Sequence, residues 1–318
     1  MIPQLPAADE VFAAAARIAG RAATTPVLRS RTLDALAGCT LFLKAEHLQR
    51  SGAFKFRGAC NAVAALDAEA AARGVVTHSS GNHGAALALA ARERGIPCHV
   101  VVPEGAVGAK LANISRHGAV LWRCAPTQAA REATCADVAA QTGASIVHPY
   151  ENRLVIAGQG TAALELLDQA GGLDVLVAPV GGGGLAAGCA LALEVAGRGC
   201  RLLLAEPAGA ADAAHALAHG APPQDFVPDT VCDGLRARIG APNLAVLRAA
   251  GAEVAVVDDA ATLEAMRLAW QVLKQTIEPS SALALAAVLA RAPQLAGKRV
   301  GVILTGGNVD LEALPWRA

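Results

Sequence analysis

The chain of 318 residues is poor in aromatics, at 3%: five phenylalanines, three tryptophans and one tyrosine. It is also poor in charge, at 17%, and its 27 basic and 27 acidic residues leave a formal net charge of +0. That balance implies no basic face, so nucleic acid is not an expected partner. Disorder needs low hydrophobicity and high net charge, and a neutral chain that is 54% hydrophobic excludes it. None of the eight cysteines forms a C-x-x-C pair, and the N-terminus meets Asp9 and Glu10 early instead of a basic start. No export signal is read there, scattered cysteines read as small buried apolar groups, and a cytoplasmic protein is expected. Lysine is scarce as well: Lys44, Lys55, Lys110, Lys274 and Lys298 are all there are.

What the chain has in abundance is Ala, Leu, Val and 32 glycines. Val175 to Leu193 carries no charge and is about as long as a membrane span. Four consecutive glycines in its middle make a poor spanning helix, so it reads as a buried strand, a glycine loop and a helix. No membrane association is expected. The same alternation runs along the chain, with strands at 74–78, 99–103, 145–147, 174–180, 201–205, 253–257 and 299–304. Helices fit between them, for example at 84–94, 158–170 and 185–197. Strands alternating with helices predict an α/β protein with two open, twisted parallel-sheet domains. The smaller, residues 74–149, is predicted to be mobile and inserted in the larger, residues 1–73 and 150–318.

Open α/β sheets bind ligands beyond the carboxyl ends of their strands. One such end carries Gly181-Gly182-Gly183-Gly184-Leu185, where converging amides and a helix N-terminus suit a phosphate. Gly181-x-Gly183-x-x-Ala186, with Glu206 ending the next strand, also fits a dinucleotide fingerprint, so a nicotinamide dehydrogenase competes. A second end carries Ser79-Ser80-Gly81-Asn82-His83-Gly84, polar groups at a helix start that suit a carboxylate. The plain alternative is an ordinary helix cap. A third carries Thr305-Gly306-Gly307-Asn308. Upstream of all three, Lys55 sits between Phe54 and Phe56. Desolvated there, its amine would have a lowered pKa suited to imine chemistry; otherwise it is a snorkelling lysine.

Taken in this order, the motifs resemble the fold type II pyridoxal phosphate enzymes, with a tryptophan synthase beta-like fold. Closer still is the serine/threonine dehydratase and serine racemase family. The resemblance runs over residues 10–312 and includes Ser51–Ala59, Val155–Thr161 and Glu278-Pro279-Ser280-Ser281-Ala282. It displaces the dehydrogenase reading.

The resemblance implies that Lys55 binds pyridoxal 5'-phosphate covalently and, once displaced by substrate, takes the Cα proton. It implies that Phe54 flanks the cofactor ring and Asn82 contacts its hydroxyl. Gly181, Gly182, Gly183, Gly184 and Leu185 would hold the phosphate, and Thr305 would face the pyridine nitrogen where relatives commonly carry Ser. Ser79, Ser80, Asn82 and His83 would grip the substrate carboxylate, with Arg131 nearby. The implied reaction is loss of water from L-threonine or L-serine to give a 2-oxo acid and ammonia. Reprotonation by Ser80 from the opposite face would make a serine racemase instead.

Three further features bear on ligands. Glu206, the Ala210 carbonyl and Asp212 resemble the divalent-cation loop of serine racemases, an oxygen-only set suited to Mg²⁺ or Ca²⁺. His215 and His219 have a zinc-pair spacing, but no third ligand is apparent, and they read as a surface helix. By the same resemblance, Arg153 stands where relatives usually carry Pro or a neutral residue; a guanidinium there would bind an acidic side chain and favour 3-hydroxyaspartate or another unusual β-hydroxy amino acid, and otherwise it is a surface arginine. The resemblance also implies a homodimer. The sequence ends soon after the Thr305 loop, so an appended regulatory domain is not expected.

Overall fold

The computed structural model describes residues 6–106, 108–197, 199–314 and 316. Its strands are β1 (Val27–Leu28), β2 (Thr40–Ala45), β3 (Val75–Thr77), β4 (Cys98–Pro103), β5 (Val120–Cys124), β6 (Ser145–Ile146), β7 (Val175–Pro179), β8 (Arg201–Pro207), β9 (Glu253–Val257) and β10 (Arg299–Leu304). They form two sheets, ordered β1-β2-β10-β7-β8-β9 and β5-β4-β3-β6. Every pairing is parallel except β1 with β2. The four strands of the smaller sheet fall in sequence between β2 and β7, so two parallel-sheet domains are present, as predicted.

The larger sheet is covered on both faces, which is why its strands read as continuous apolar runs. Leu176 and Ala178 point into one core with Leu166, Ala186 and Leu202. Val175 and Val177 alternate into the other, with Leu283, Ala287 and Val302. The uncharged stretch after Asp174 is a strand, a loop and the helix Gly184–Ala196. Among the described residues no helix is long and apolar enough to cross a membrane. All eight cysteines are free, and seven are buried.

Three strands escaped the sequence reading: β1, β2 and β5. In β2, Lys44 interrupts the apolar run, yet it is 0% exposed. Its amine donates to Glu165 at 2.7 Å, Gln169 at 2.8 Å and the Thr25 carbonyl at 2.7 Å, so the charge is matched inside the core. β5 is an edge strand on which only Cys124 is buried. The helix predicted from residue 158 begins at Arg153, because Asn152 accepts from the amides of Leu154 and Val155 and caps it there.

Candidate active site

The loops after β3, β7 and β10 converge, and the helix Lys55–Ala64 starts among them. An isolated bridge pairs Ala53 with Gly306, and the Phe54 amide donates to the Thr305 carbonyl at 2.9 Å. The end of β10 therefore fixes the first turn carrying Lys55. Two residues on, Arg57 is fully buried and donates to Glu46 and Glu165, each at 2.7 Å, which pins the same helix to its neighbours. Lys55 Nζ lies 5.1 Å from the Phe54 ring centroid and donates to the Pro149 carbonyl at 3.1 Å. Burial pushes its pKa down to about 8, with the Glu278 charge pulling the other way. A half-buried amine with a weakened hold on its proton suits imine formation and proton abstraction.

Asn82 opens the helix Asn82–Arg94 beyond β3. Its Nδ2 donates to Glu278 at 2.9 Å, and its Oδ1 accepts from Asn308 at 2.9 Å. Ser79 and Ser80 are half-buried on the same loop. His83 is buried, with Nε2 3.2 Å from the Val147 carbonyl and Nδ1 unpartnered. Burial, then the nearby Lys55 charge, holds its pKa well below the usual histidine range.

After β7, Gly181 to Leu185 are buried. The first bond of the helix Gly184–Ala196 runs from the Ala187 amide to the Gly183 carbonyl at 2.8 Å. The amides of Gly184, Leu185 and Ala186 thus precede the hydrogen-bonded ladder, and buried amides need an acceptor. An anion at this positive helix end would supply it. Gly183 has φ +89°, and a Cβ on Gly182 would lie 2.5 Å from Tyr150 Cγ, so the loop admits no side chain at either position. Orphan amides, a desolvated lysine and an amide side chain form a set that fits pyridoxal phosphate.

The sequence profile described as "Pyridoxal-phosphate dependent enzyme" matches residues 18–306. The chain belongs to that family. Within the pyridoxal-phosphate dependent enzymes, it is 46% identical over 312 residues to a beta-hydroxyaspartate dehydratase of Paracoccus denitrificans, covering 98% of this chain and 99% of that one. It is 47% identical over 296 residues to a serine racemase of Arabidopsis thaliana, covering 91% and 89%. Maize serine racemase superimposes with a TM-score of 0.93 at 41% identity, over 97% of this chain and 95% of that one. The chain is thus a fold type II enzyme of the serine racemase and dehydratase group.

In this pyridoxal-phosphate dependent enzyme, sequence reasoning missed one wall of the site. The His78 and His148 rings meet edge to face at 4.9 Å, and His148 meets Tyr150 at 4.6 Å. His148 Nδ1 accepts from the Glu151 amide at 3.0 Å, and burial pushes its pKa down to about 3, so the ring is neutral. The one visible signal was that Tyr150 is the only tyrosine. Arg131, on the helix Gln128–Thr142, is near enough for its charge to act on His78, and its Nε is buried without a partner.

The remaining candidates lie elsewhere. Arg153 pairs with Glu10 at 2.9 Å on the surface, at 44% side-chain exposure. His215 and His219 stack at 4.4 Å on the exposed face of the helix Asp212–His219, and both Nδ1 atoms are engaged by carbonyls. The oxygens of Glu206 accept the Ala213 and Ala214 amides, both at 2.7 Å. Asp212 Oδ2 accepts the Ile239 amide at 2.7 Å, while its buried Oδ1 has no partner. Burial raises both carboxyls, Glu206 to about 7. Among the described residues no three His, Cys, Asp or Glu side chains cluster as a metal site.

Proposed function

We propose that this enzyme is an ammonia-lyase that removes water from a β-hydroxy amino acid to give a 2-oxo acid and ammonia. We further propose that an acidic substrate such as threo-3-hydroxyaspartate is preferred over L-serine and L-threonine. The half-buried Lys55 amine, with its pKa lowered to about 8, carries the reaction type. Bound there, pyridoxal phosphate would supply the electron sink for the pair left when the Cα proton departs. Lys55 takes that proton as general base. The loop Ser79–His83, at a helix N-terminus, holds the substrate carboxylate. Gly181 to Leu185 hold the phosphate, Phe54 and Thr305 bound the ring, and Asn82 meets its hydroxyl.

The unpartnered Nε of Arg131 supports the substrate class, because a buried guanidinium nitrogen gains most from a carboxylate. The beta-hydroxyaspartate dehydratase relative points the same way. Turnover of L-serine, L-threonine and threo-3-hydroxyaspartate is the test. We expect the acidic substrate to have the highest kcat/KM, and Arg131→Ala to lower it at least tenfold more than for serine, in line with a lost charged hydrogen bond. Equal losses on all three would sink the preference. Ammonia release from none of them would sink the lyase reading.

A racemase is the second reading, favoured by the half-buried Ser80 beside Asn82. D-serine formed faster than pyruvate would establish it. We also assign Mg²⁺ or Ca²⁺ to Glu206, Asp212 and the Ala210 carbonyl, on the strength of the unpartnered Asp212 oxygen. Residues 74–149 are proposed to move as a unit over the site. Lys110, on the helix Gly108–Ser115, pairs with Asp233 of the larger domain and ties the two together. A cytoplasmic homodimer is the proposed setting.

A further inference from the structure

Two groups stand behind Asn82 that the proposed reaction leaves without a task. Glu278 is only 5% exposed and accepts from Asn82 Nδ2 through both oxygens, at 2.9 and 3.2 Å. Gly306 makes room for it, since a Cβ there would lie 2.6 Å from Glu278 Oε1. Asn308 Nδ2 donates to the Ser51 carbonyl and to Asn82 Oδ1, each at 2.9 Å.

A side-chain amide keeps almost the same shape when turned half round, so its partners decide its orientation. Here the chain of partners has one solution. The Ser51 carbonyl can only accept, so Asn308 presents N–H groups. Asn82 must then offer its oxygen to Asn308 and its nitrogen to Glu278, whose carboxylate also only accepts. The two oxygens of one carboxylate subtend a much smaller angle than the two N–H bonds of an amide. One Asn82 N–H therefore serves Glu278, and the other remains free.

We propose that Glu278 and Asn308 are positioning residues that lock the Asn82 amide so that it presents an N–H, never its carbonyl, to the cofactor ring hydroxyl. This rests on the reading that pyridoxal phosphate binds at Lys55. An N–H donor favours the ionised ring oxygen, and a carbonyl in its place would repel it. The lock depends on Glu278 as an acceptor. Burial and the Asp233 charge raise the Glu278 pKa to about 7, opposed by the Asn82 hydrogen bond and by Lys110; Cys232 and Lys55 also feel its charge.

The test adds pyridoxal phosphate to wild-type protein and to Glu278→Gln, Glu278→Ala and Asn308→Asp, and follows the visible band of the lysine-bound cofactor against pH. Asn308→Asp keeps the shape but replaces the donor with an acceptor, which invites the Asn82 amide to turn. We expect this variant and Glu278→Ala to shift the band and weaken cofactor binding about tenfold, as for one lost hydrogen bond to a charged group. Glu278→Gln should restore the band and affinity while removing any spectral step near neutral pH. An unchanged band and affinity in folded Asn308→Asp would overturn the proposal. A wild-type protein that shows no band at all would instead refute the cofactor reading beneath it.

Discussion

Lys55 illustrates how one residue couples the site to the stability of the whole. Its amine has an ordinary pKa of 10.5, and burial pushes it down to about 8 in the folded chain. Between those values the unfolded state binds more protons than the folded one, so stability rises with pH. Cofactor-free protein is expected to gain stability from about pH 8 to 10.5, and Lys55→Met to lack that gain. Urea unfolding at stepped pH measures it, and parallel profiles for the two proteins would show that the amine is solvated. Burial likewise keeps His83 and His148 neutral, so neither adds a second positive charge beside Lys55.

At the scale of elements, the glycine loop and Tyr150 form one unit. The Tyr150 ring occupies the space a Gly182 side chain would need, and Asn243 Nδ2 donates to both the Tyr150 carbonyl at 2.9 Å and the Gly182 carbonyl at 2.6 Å. Gly182→Ala is expected to destabilise by about 1–3 kcal/mol, the usual range for overpacking, and to weaken pyridoxal phosphate binding. Removing the ring should relieve the clash, so Gly182→Ala with Tyr150→Ala should lose less than the two separate losses added. Thermal melts and cofactor titration of the three variants check this. Strict additivity would mean that the loop does not lean on the ring.

On the scale of the molecule, the sheet order explains why the site lies where it does. β10 sits between β2 and β7, so the Thr305 loop emerges beside both the Lys55 segment that follows β2 and the glycine loop that follows β7. Glu206, near the end of β8, accepts from the helix Asp212–His219, and Asp212 of that helix accepts from the Ile239 segment. A cation there would tie three parts of the larger domain, so its removal should show in global stability. EDTA is expected to lower Tm by several degrees, and excess Mg²⁺ or Ca²⁺ to restore it, because ligand bound only to the folded state stabilises in proportion to RT ln(1 + [L]/Kd). An identical melt with and without EDTA would remove the metal assignment.

The alternation of strand and helix, the buried glycine loop, the polar Ser79–His83 loop and the isolated Lys55 were all legible along the chain. Each is a property of a short window: periodicity, a run of glycines, or charge and polarity at a strand end. The unread parts depend on partners far apart in sequence. Lys44 puts a charge within β2 that only Glu165, 121 residues away, matches inside the core, and Asn82 finds Glu278 and Asn308 at separations of 196 and 226 residues. The sequence by itself determined the class of fold and which loops carry chemistry. Only the tertiary structure decided that Arg153 pairs with Glu10, that His78, His148 and Tyr150 pack ring to ring, and which way the Asn82 amide faces. Those outcomes follow from burial and hydrogen-bond satisfaction, which no local pattern encodes.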